Sequence, residues 1–149
     1  MPNDSCTLPD FQEPSPAIVR MLNAKRIAIV GLSDDPSRPS FEVASYLLSI
    51  GKDVIPVNPN RDRVLGLICH ASLTAIAGPI DLVNVFRRPE FCADVVREAI
   101  AIGATGLWLQ SGIVSTEARD LARQAKLDFV ENRCLMVELM RQIRPGNSR

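Results

Sequence analysis

Short apolar runs alternate with amphipathic segments along most of this chain. Six runs have the length and composition of β-strands, at about 25–30, 53–57, 67–69, 80–86, 105–110 and 128–131. Between them, apolar residues at helical spacing predict helices at about 16–22, 39–50, 89–102 and 116–126. Strands that alternate with helices form βαβ units, whose right-handed crossovers produce a parallel sheet with helices on both faces. The pattern therefore predicts an α/β fold, a three-layer sandwich around a mostly parallel sheet of about five or six strands.

Capping residues mark the ends of these helices. Ser15 precedes Pro16, and Ser115 precedes the fourth helical segment, so each hydroxyl is placed to cap a helix N-terminus. Gly51 and Gly103 follow the last apolar positions of two other helices, where a left-handed residue commonly ends a helix. These signals support the order of elements that the apolar pattern predicts.

The chain has 149 residues, which suffices for one domain with one substantial core. It is shorter than the two-domain layout of most dinucleotide-dependent dehydrogenases. We assign residues 15–143 to the domain. Residues 1–14 contain three prolines and are expected to form an extended N-terminal arm, and residues 144–149 are expected to form a frayed tail.

Charge and cysteine content exclude several classes of protein. Seventeen basic residues balance seventeen acidic ones, so no overall field favours nucleic acid or a membrane surface. Cys6, Cys69, Cys92 and Cys134 form no CxxC pair, and the single histidine, His70, completes no zinc cluster. The N-terminus lacks the lysines and apolar core of a signal peptide, and no apolar run approaches the roughly 20 residues of a membrane span. We expect a soluble cytoplasmic protein with no bound metal.

Polar and turn-forming segments follow five of the predicted strands. Ligands of open parallel sheets bind outside the carboxyl ends of the strands, so these segments are the candidate site. In chain order they read GLSDDPSRPS, VNPN, FRRPE, LQSG and NRC. The first of them departs from the dinucleotide-binding pattern G-x-G-x-x-G, because Ser33 and Pro36 replace the second and third glycines.

Two of these segments suit an anion. The helix that begins near Pro39 offers free backbone N–H groups and a partial positive charge at its N-terminus. The donors placed beside it are Arg38, Ser33, Ser37 and Ser40. Arg87 and Arg88 precede a second helix N-terminus, where cations are unfavourable unless a negative group binds there. The sequence thus predicts a diphosphate at the first position and another phosphate or a carboxylate at the second.

The residue after the second strand narrows the choice of nucleotide. Common NAD sites place Asp or Glu there to hold the ribose 2′-hydroxyl, but this chain has the neutral Asn58. A carboxylate would repel a phosphorylated ribose, whereas an amide would not. Both NADP and coenzyme A remain compatible with Asn58.

Together these segments resemble the small single-domain CoA-binding proteins, which are stand-alone relatives of the CoA-binding domain of the succinyl-CoA synthetase α subunit. The matching motifs are GLSDDPSRPS, VIPVNPN, LGLICHASL, IDLVNVFRRPE, AIAIGATGLWLQSGIVS and ENRCLMVE. The resemblance covers about residues 25–138 and implies a Rossmann-like domain that binds coenzyme A. The family often has a lysine where this chain has Met136, so any role of that cation is absent.

The resemblance also implies roles for individual residues. It assigns the phosphates of coenzyme A to Gly31, Ser33, Arg38, Pro39 and Ser40. It places the adenosine beside Asn58 and Pro59, and the next edge of the site at Phe86, Arg87 and Arg88. It places the pantetheine path beside Gln110, Ser111 and Gly112, with Cys134 at its far edge.

Three functions fit the sequence. The first is non-catalytic binding of coenzyme A or an acyl-CoA, because no paired carboxylates, triad, metal cluster or Walker loop is visible. This hypothesis includes sensing of the bound ligand. The alternative is an NADP-dependent oxidoreductase or an acyl-CoA-handling enzyme subunit that uses the same edge of the sheet. The third is an interaction module with a vestigial nucleotide site, whose N-terminal arm docks on a partner. His70 is interpreted as an ordinary residue and Trp108 as part of the core.

Overall fold

The computed structural model of the chain describes residues 15–142, and the predicted arm at 1–14 and tail at 144–149 lie outside them. The helices are α1 (Pro16–Leu22), α2 (Pro39–Ser49), α3 (Pro89–Ala101), α4 (Thr116–Gln124) and α5 (Leu135–Gln142). The strands are β1 (Arg26–Val30), β2 (Asp53–Val57), β3 (Arg63–Val64), β4 (Leu67–Ile68), β5 (Leu82–Val85), β6 (Gly106–Leu109) and β7 (Asp128–Val130). A 3-10 turn spans Leu73–Ala75. None of the helices within the described range is long and apolar enough to cross a membrane.

Five of the strands form one sheet in the order β2-β1-β5-β6-β7, and every neighbouring pair is parallel. The chain moves from β1 to β2 on one side and then returns to add β5, β6 and β7 on the other. The order therefore reverses between β1 and β5, which is the switch point where open parallel sheets bind ligands. The predicted α/β fold is confirmed.

The predicted strand at 67–69 does not belong to this sheet. Its first two residues form β4, which pairs antiparallel with β3 in a separate hairpin. Leu65 and Gly66 connect the two strands, and both have positive φ angles, 55° and 74°. Positive φ at both central residues is the geometry of a type I′ turn, which reverses the chain directly into an antiparallel pair. The main sheet consequently has five strands.

Helices cover both faces of the sheet and divide the core into two clusters. On one face, side chains of α3 and α4 such as Val96 and Ala118 pack on the strands; we call this the α3–α4 face. On the other, side chains of α1, α2 and α5 such as Leu47 and Leu135 do so, which we call the α1–α2–α5 face. Trp108 is fully buried on this second face, as expected, and its indole N–H donates to the Arg133 carbonyl at 2.8 Å.

The predicted helix caps are present at both serines. The Ser15 hydroxyl accepts a hydrogen bond from the backbone N–H of Ile18 at 3.2 Å, and the Ser115 hydroxyl accepts one from Ala118 at 3.1 Å. Each cap satisfies one of the N–H groups that a helix N-terminus leaves free. The entries into α1 and α4 are therefore determined locally by the sequence.

Gly31 brings the ends of β1 and β5 together at the switch point. Its N–H donates to the Val57 carbonyl at 2.9 Å, and its φ of +88° turns the chain out of the strand. A Cβ atom at this position would lie only 2.7 Å from the carbonyl oxygen of Phe86. Only glycine allows the loops after β1 and β5 to approach so closely.

Replacing Gly31 by alanine should therefore lower the free energy of unfolding by more than the cost of a non-glycine residue at positive φ. Gly51→Ala is a matched control, since Gly51 has a φ of +87° and its Cβ would meet no atom within 4 Å. We expect the control to lose about 1–2 kcal/mol and Gly31→Ala to lose about 1–3 kcal/mol more through the backbone clash. Urea denaturation would measure both. Equal losses would contradict the close approach at Phe86.

Candidate functional site

A cleft of about 360 Å³ opens at the carboxyl ends of β1, β2 and β5, on the α3–α4 face. Its lining consists of Val30, Gly31, Val57, Asn58, Pro59, Asn60, Ala71, Ser72, Phe86, Arg87, Val95 and Glu98. Ligand pockets typically measure about 300–1,000 Å³. This cleft is at the lower end of that range, so it suits one part of a long ligand.

The cleft has apolar walls and charged ends. Val30 and Val57 are the last residues of their strands, and Val95 projects from α3; all three are buried. Arg87 lies just before α3 begins, and Glu98 lies near its other end. An apolar passage between a cation and a carboxylate suits a ligand with a flat apolar part and an anionic part.

Arg87 is a cation that packs on an aromatic ring. It is half-buried, and its guanidinium lies 4.4 Å from the centre of the Phe91 ring. It makes no salt bridge or side-chain hydrogen bond with any residue in the described range. Arg88 is exposed and lies 3.7 Å from the carboxylate of Glu90. Of the two arginines that precede α3, Arg87 is therefore the one that is positioned to bind an anion in the cleft.

Cys92 supports the turn that carries Arg87. Its thiol is buried and contacts the carbonyl oxygens of Arg87 and Arg88 at 3.7 and 3.5 Å. Burial raises the pKa of the Cys92 thiol to about 11, although the nearby Arg87 acts in the opposite direction. The thiol therefore stays protonated at neutral pH and serves packing.

The hydroxyls of the loop after β1 organise the loop itself. The Ser40 hydroxyl, which is buried, accepts from the Ser33 backbone N–H at 2.9 Å, and the Ser33 hydroxyl accepts from the N–H of Asp35 at 3.0 Å. Ser37 donates both its N–H and its hydroxyl to the Asp35 carboxylate. Ser37 therefore uses its hydroxyl proton within the loop, whereas the interactions of Ser33 and Ser40 leave their hydroxyl protons available.

The Asp35 carboxylate reduces the positive potential at the start of α2. Hydrogen bonds from the Ser37 backbone and side chain, with the nearby charge of Arg38, lower the pKa of the Asp35 carboxyl. Asp34 pairs with Arg61 at 2.8 Å. Because the ionised Asp35 carboxylate lies near Arg38, the uncompensated positive charge at this edge of the sheet is greater at Arg87.

Asn58 connects the loops that follow β1 and β2. Its amide donates to the Leu32 carbonyl at 2.9 Å, and its amide oxygen accepts from the Asn60 N–H at 2.8 Å. An aspartate here would place a carboxylate against the Leu32 carbonyl, so the fold itself favours the amide. The neutral residue that the sequence linked to ligand choice thus also has a structural role.

Gln110 is an internal link on the α1–α2–α5 face. It is buried, and its amide oxygen accepts from the Asn84 side chain at 3.3 Å and from the Leu135 N–H at 3.4 Å. Asn84 is itself fully buried in β5, and its amide oxygen has no partner in the described part of the chain. An isolated asparagine within the apolar run LVNV was the available sequence signal for this network, and sequence reasoning did not use it.

The remaining predicted residues lie outside the cleft. The backbone N–H of Gly112 donates to the side chain of Asn132 at 2.7 Å, and the neighbouring Ser111 is exposed. Cys134 packs against the α1–α2–α5 cluster, and Arg133 lies 3.6 Å from the Glu138 carboxylate. These residues follow β6 and β7, farther along the same edge of the sheet.

The structure thus brings together, in the cleft, some of the residues that the sequence predicts for the site. Five of the predicted residues line the cleft: Gly31, Asn58, Pro59, Phe86 and Arg87. Nine do not: Ser33, Arg38, Pro39, Ser40, Arg88, Gln110, Ser111, Gly112 and Cys134. Sequence reasoning missed Ser72, Val95 and Glu98, which reach the cleft from the segment after β4 and from within α3. Within residues 15–142, no group of three or more His, Cys, Asp or Glu side chains could hold a metal ion.

Comparison with known proteins matches residues 25–140 to the family described as "CoA binding domain". The uncharacterized protein YneT of Bacillus subtilis (strain 168) is 40% identical over 129 residues, which make up 85% of this chain and 96% of that protein. A solved structure of a hypothetical protein from Pyrococcus horikoshii OT3 is 37% identical with a TM-score of 0.83, and the match covers 90% of this chain and all of that one.

A larger enzyme contains a similar region. The acetate–CoA ligase [ADP-forming] II of Archaeoglobus fulgidus is 26% identical over 113 residues, or 74% of this chain. The matched region is only 16% of the ligase. The similarity therefore concerns one domain of that enzyme.

Because the Cys92 thiol is buried, the free energy of unfolding should depend on pH in the alkaline range. In the unfolded chain a cysteine loses its proton near pH 8.5, whereas in the folded protein Cys92 does so at about 11. Between these values the unfolded state binds fewer protons, so the free energy of unfolding should fall as pH rises from about 9 to 11. Urea denaturation of the wild type and of Cys92→Ala should show a steeper fall for the wild type. Parallel pH profiles would contradict the raised pKa.

Proposed function

The chain belongs to the family of CoA-binding domains, and on this basis we propose that it binds coenzyme A or an acyl-CoA without catalysing a reaction itself. The observation that carries the proposal is the guanidinium of Arg87, which lines the cleft at the switch point and has no counter-charge among the described residues. Phe91 holds this cation in place before any ligand arrives. A preformed cation of this kind is what a phosphate-bearing ligand requires.

We place the phosphates between Arg87 and the loop after β1. The N-terminus of α2 lies at the same edge of the sheet, where the helix dipole favours an anion. Pro39 has no N–H, and the N–H groups of Phe41 and Glu42 already donate to the Arg38 carbonyl, so the dipole rather than a row of free donors is the contribution of α2. Arg38 stands at the N-cap of α2 and adds a second, exposed cation. Asn58 and Pro59 border the adenosine in this proposal, and the pantetheine arm continues towards Ser111 and Gly112 beyond the cleft.

The alternative function in an acyl-CoA-handling enzyme has support of its own. The similarity to one domain of the Archaeoglobus fulgidus ligase favours a chain that presents coenzyme A to a partner carrying the chemistry. An NADP-dependent activity rests only on the neutral Asn58, whose amide is engaged by Leu32 and Asn60. We therefore rank the acyl-CoA alternative above the NADP alternative.

We also propose a cytoplasmic location. Cys69, Cys92 and Cys134 are free thiols. Free thiols are typical of proteins in reducing compartments.

Calorimetric titration of the full chain with coenzyme A, acetyl-CoA, NAD and NADP tests the ligand class. We expect saturable binding of coenzyme A and acetyl-CoA, and no heat of binding with NAD. Binding of NADP without coenzyme A would favour the oxidoreductase instead. Absence of binding by all four would leave the interaction module as the remaining hypothesis.

Arg87→Ala should weaken coenzyme A binding by about 1.5–3 kcal/mol, the usual contribution of a hydrogen bond to a charged group. Arg97→Ala is a charge-matched control, because Arg97 lies on α3 but pairs with Asp94 and Glu117 outside the cleft. We expect the control to bind coenzyme A like the wild type and both variants to remain folded by circular dichroism. Equal affinity of Arg87→Ala and the wild type would refute the assignment of the anion to this arginine.

A further inference from the structure

Glu98 places a carboxylate in a cleft that is proposed to bind an anion. The side chain is half-buried and lines the cleft from α3. One of its oxygens, Oε1, accepts a hydrogen bond from the Leu73 backbone N–H at 3.1 Å. Within the described range Glu98 makes no salt bridge, and its second oxygen, Oε2, has no hydrogen-bond partner. The cleft thus contains an unused acceptor with negative charge.

The two charges lie at opposite ends of one helical stripe. Phe91, Val95 and Glu98 are spaced i, i+4 and i+7 on α3, so they share one face of the helix. Phe91 carries Arg87 on its ring, whereas Glu98 lies nine residues after Pro89, which is about 14 Å along the helix axis. The stripe therefore runs from a cation, past a buried valine, to a carboxylate.

This polarity gives a bound nucleotide a direction. Phosphate groups are repelled by the carboxylate of Glu98 and attracted by Arg87, so the anionic part of the ligand lies at the start of α3. The part that reaches Glu98 must be uncharged and must offer a hydrogen-bond donor. The apolar surfaces of Val57 and Val95 beside it suit the faces of a planar ring.

We propose that Glu98 is a specificity residue: its Oε2 accepts a hydrogen bond from the 6-amino group of an adenine ring that enters the cleft. This inference rests on the proposed function, since it identifies the base end of coenzyme A as the part that the cleft holds. The hydrogen bond to Leu73 keeps the carboxylate in position before the ligand binds. Adenine is thereby preferred over purines that lack the amino group.

A structural role of Glu98 alone can be separated from this specificity role. Glutamine has the same shape and retains one acceptor oxygen, which suffices for the Leu73 N–H. With that oxygen facing Leu73, its NH2 group takes the position of Oε2 and meets the adenine amino group, which is another donor. Glu98→Gln should therefore keep the fold and lose the preference for the base.

The experiment measures binding of adenosine 3′,5′-bisphosphate and of its purine analogue, which lacks the 6-amino group, to the full chain by calorimetry. We expect the wild type to bind the adenine compound about tenfold more tightly, and Glu98→Gln to bind the two within about twofold of each other. Asp94→Asn is the control, because it removes a carboxylate from the solvent side of α3, where Asp94 pairs with Arg97. It should keep the wild-type preference.

The outcomes separate this inference from the proposed function. If the wild type binds coenzyme A but shows no preference for adenine, the role of Glu98 is refuted and coenzyme A binding stands. The same holds if Glu98→Gln is folded and keeps the full preference. If the wild type binds neither coenzyme A nor the bisphosphates, the proposed function fails, and the inference fails with it.

Discussion

The approach of the Gly31 backbone to the Phe86 carbonyl is the constraint on which the site depends. It occurs where the order of strands reverses, so the segments leaving β1 and β5 must separate into different loops directly above two adjacent strands. A side chain at position 31 would push these loops apart. With glycine there, Phe86 and Arg87 lie beside Gly31 in the lining of one cleft.

Around this junction, most polar groups are used to hold the loops. Ser33 and Ser40 connect the loop after β1 to the start of α2, and Asn58 connects it to the loop after β2. These hydrogen bonds satisfy buried or half-buried backbone groups that would otherwise be costly. Arg87 and Glu98 differ, since each retains a charge that no described residue neutralises. A site organised in this way can bind a polar ligand with little rearrangement, because its loops are already ordered.

Much of the fold could be predicted from the sequence. The strand at 53–57 and the start of α3 at Pro89 appear where the apolar pattern and the proline place them, because these signals act within a few residues. The strand at 67–69 was also predicted, but not the antiparallel hairpin in which it lies. Its length and composition were those of a strand, but the turn at Leu65 and Gly66 decided its partner. Pairing depends on chain reversal, which an apolar run by itself does not specify.

The sequence by itself determined the alternation of strands and helices, the helix caps and the family, because each is recorded in local spacing or in motifs. It also predicted a ligand site at the carboxyl edge of the sheet. Only the tertiary structure decided which of the residues at that edge share a cleft. Arg87 lines the cleft and Gln110 does not, although both follow buried strands. The side chain of Gln110 lies instead on the α1–α2–α5 face, where it accepts hydrogen bonds from Asn84 and Leu135. Glu98 reaches the cleft from within α3, and its position relative to the strand ends is set by how the helix packs on the sheet, which no short stretch of sequence specifies.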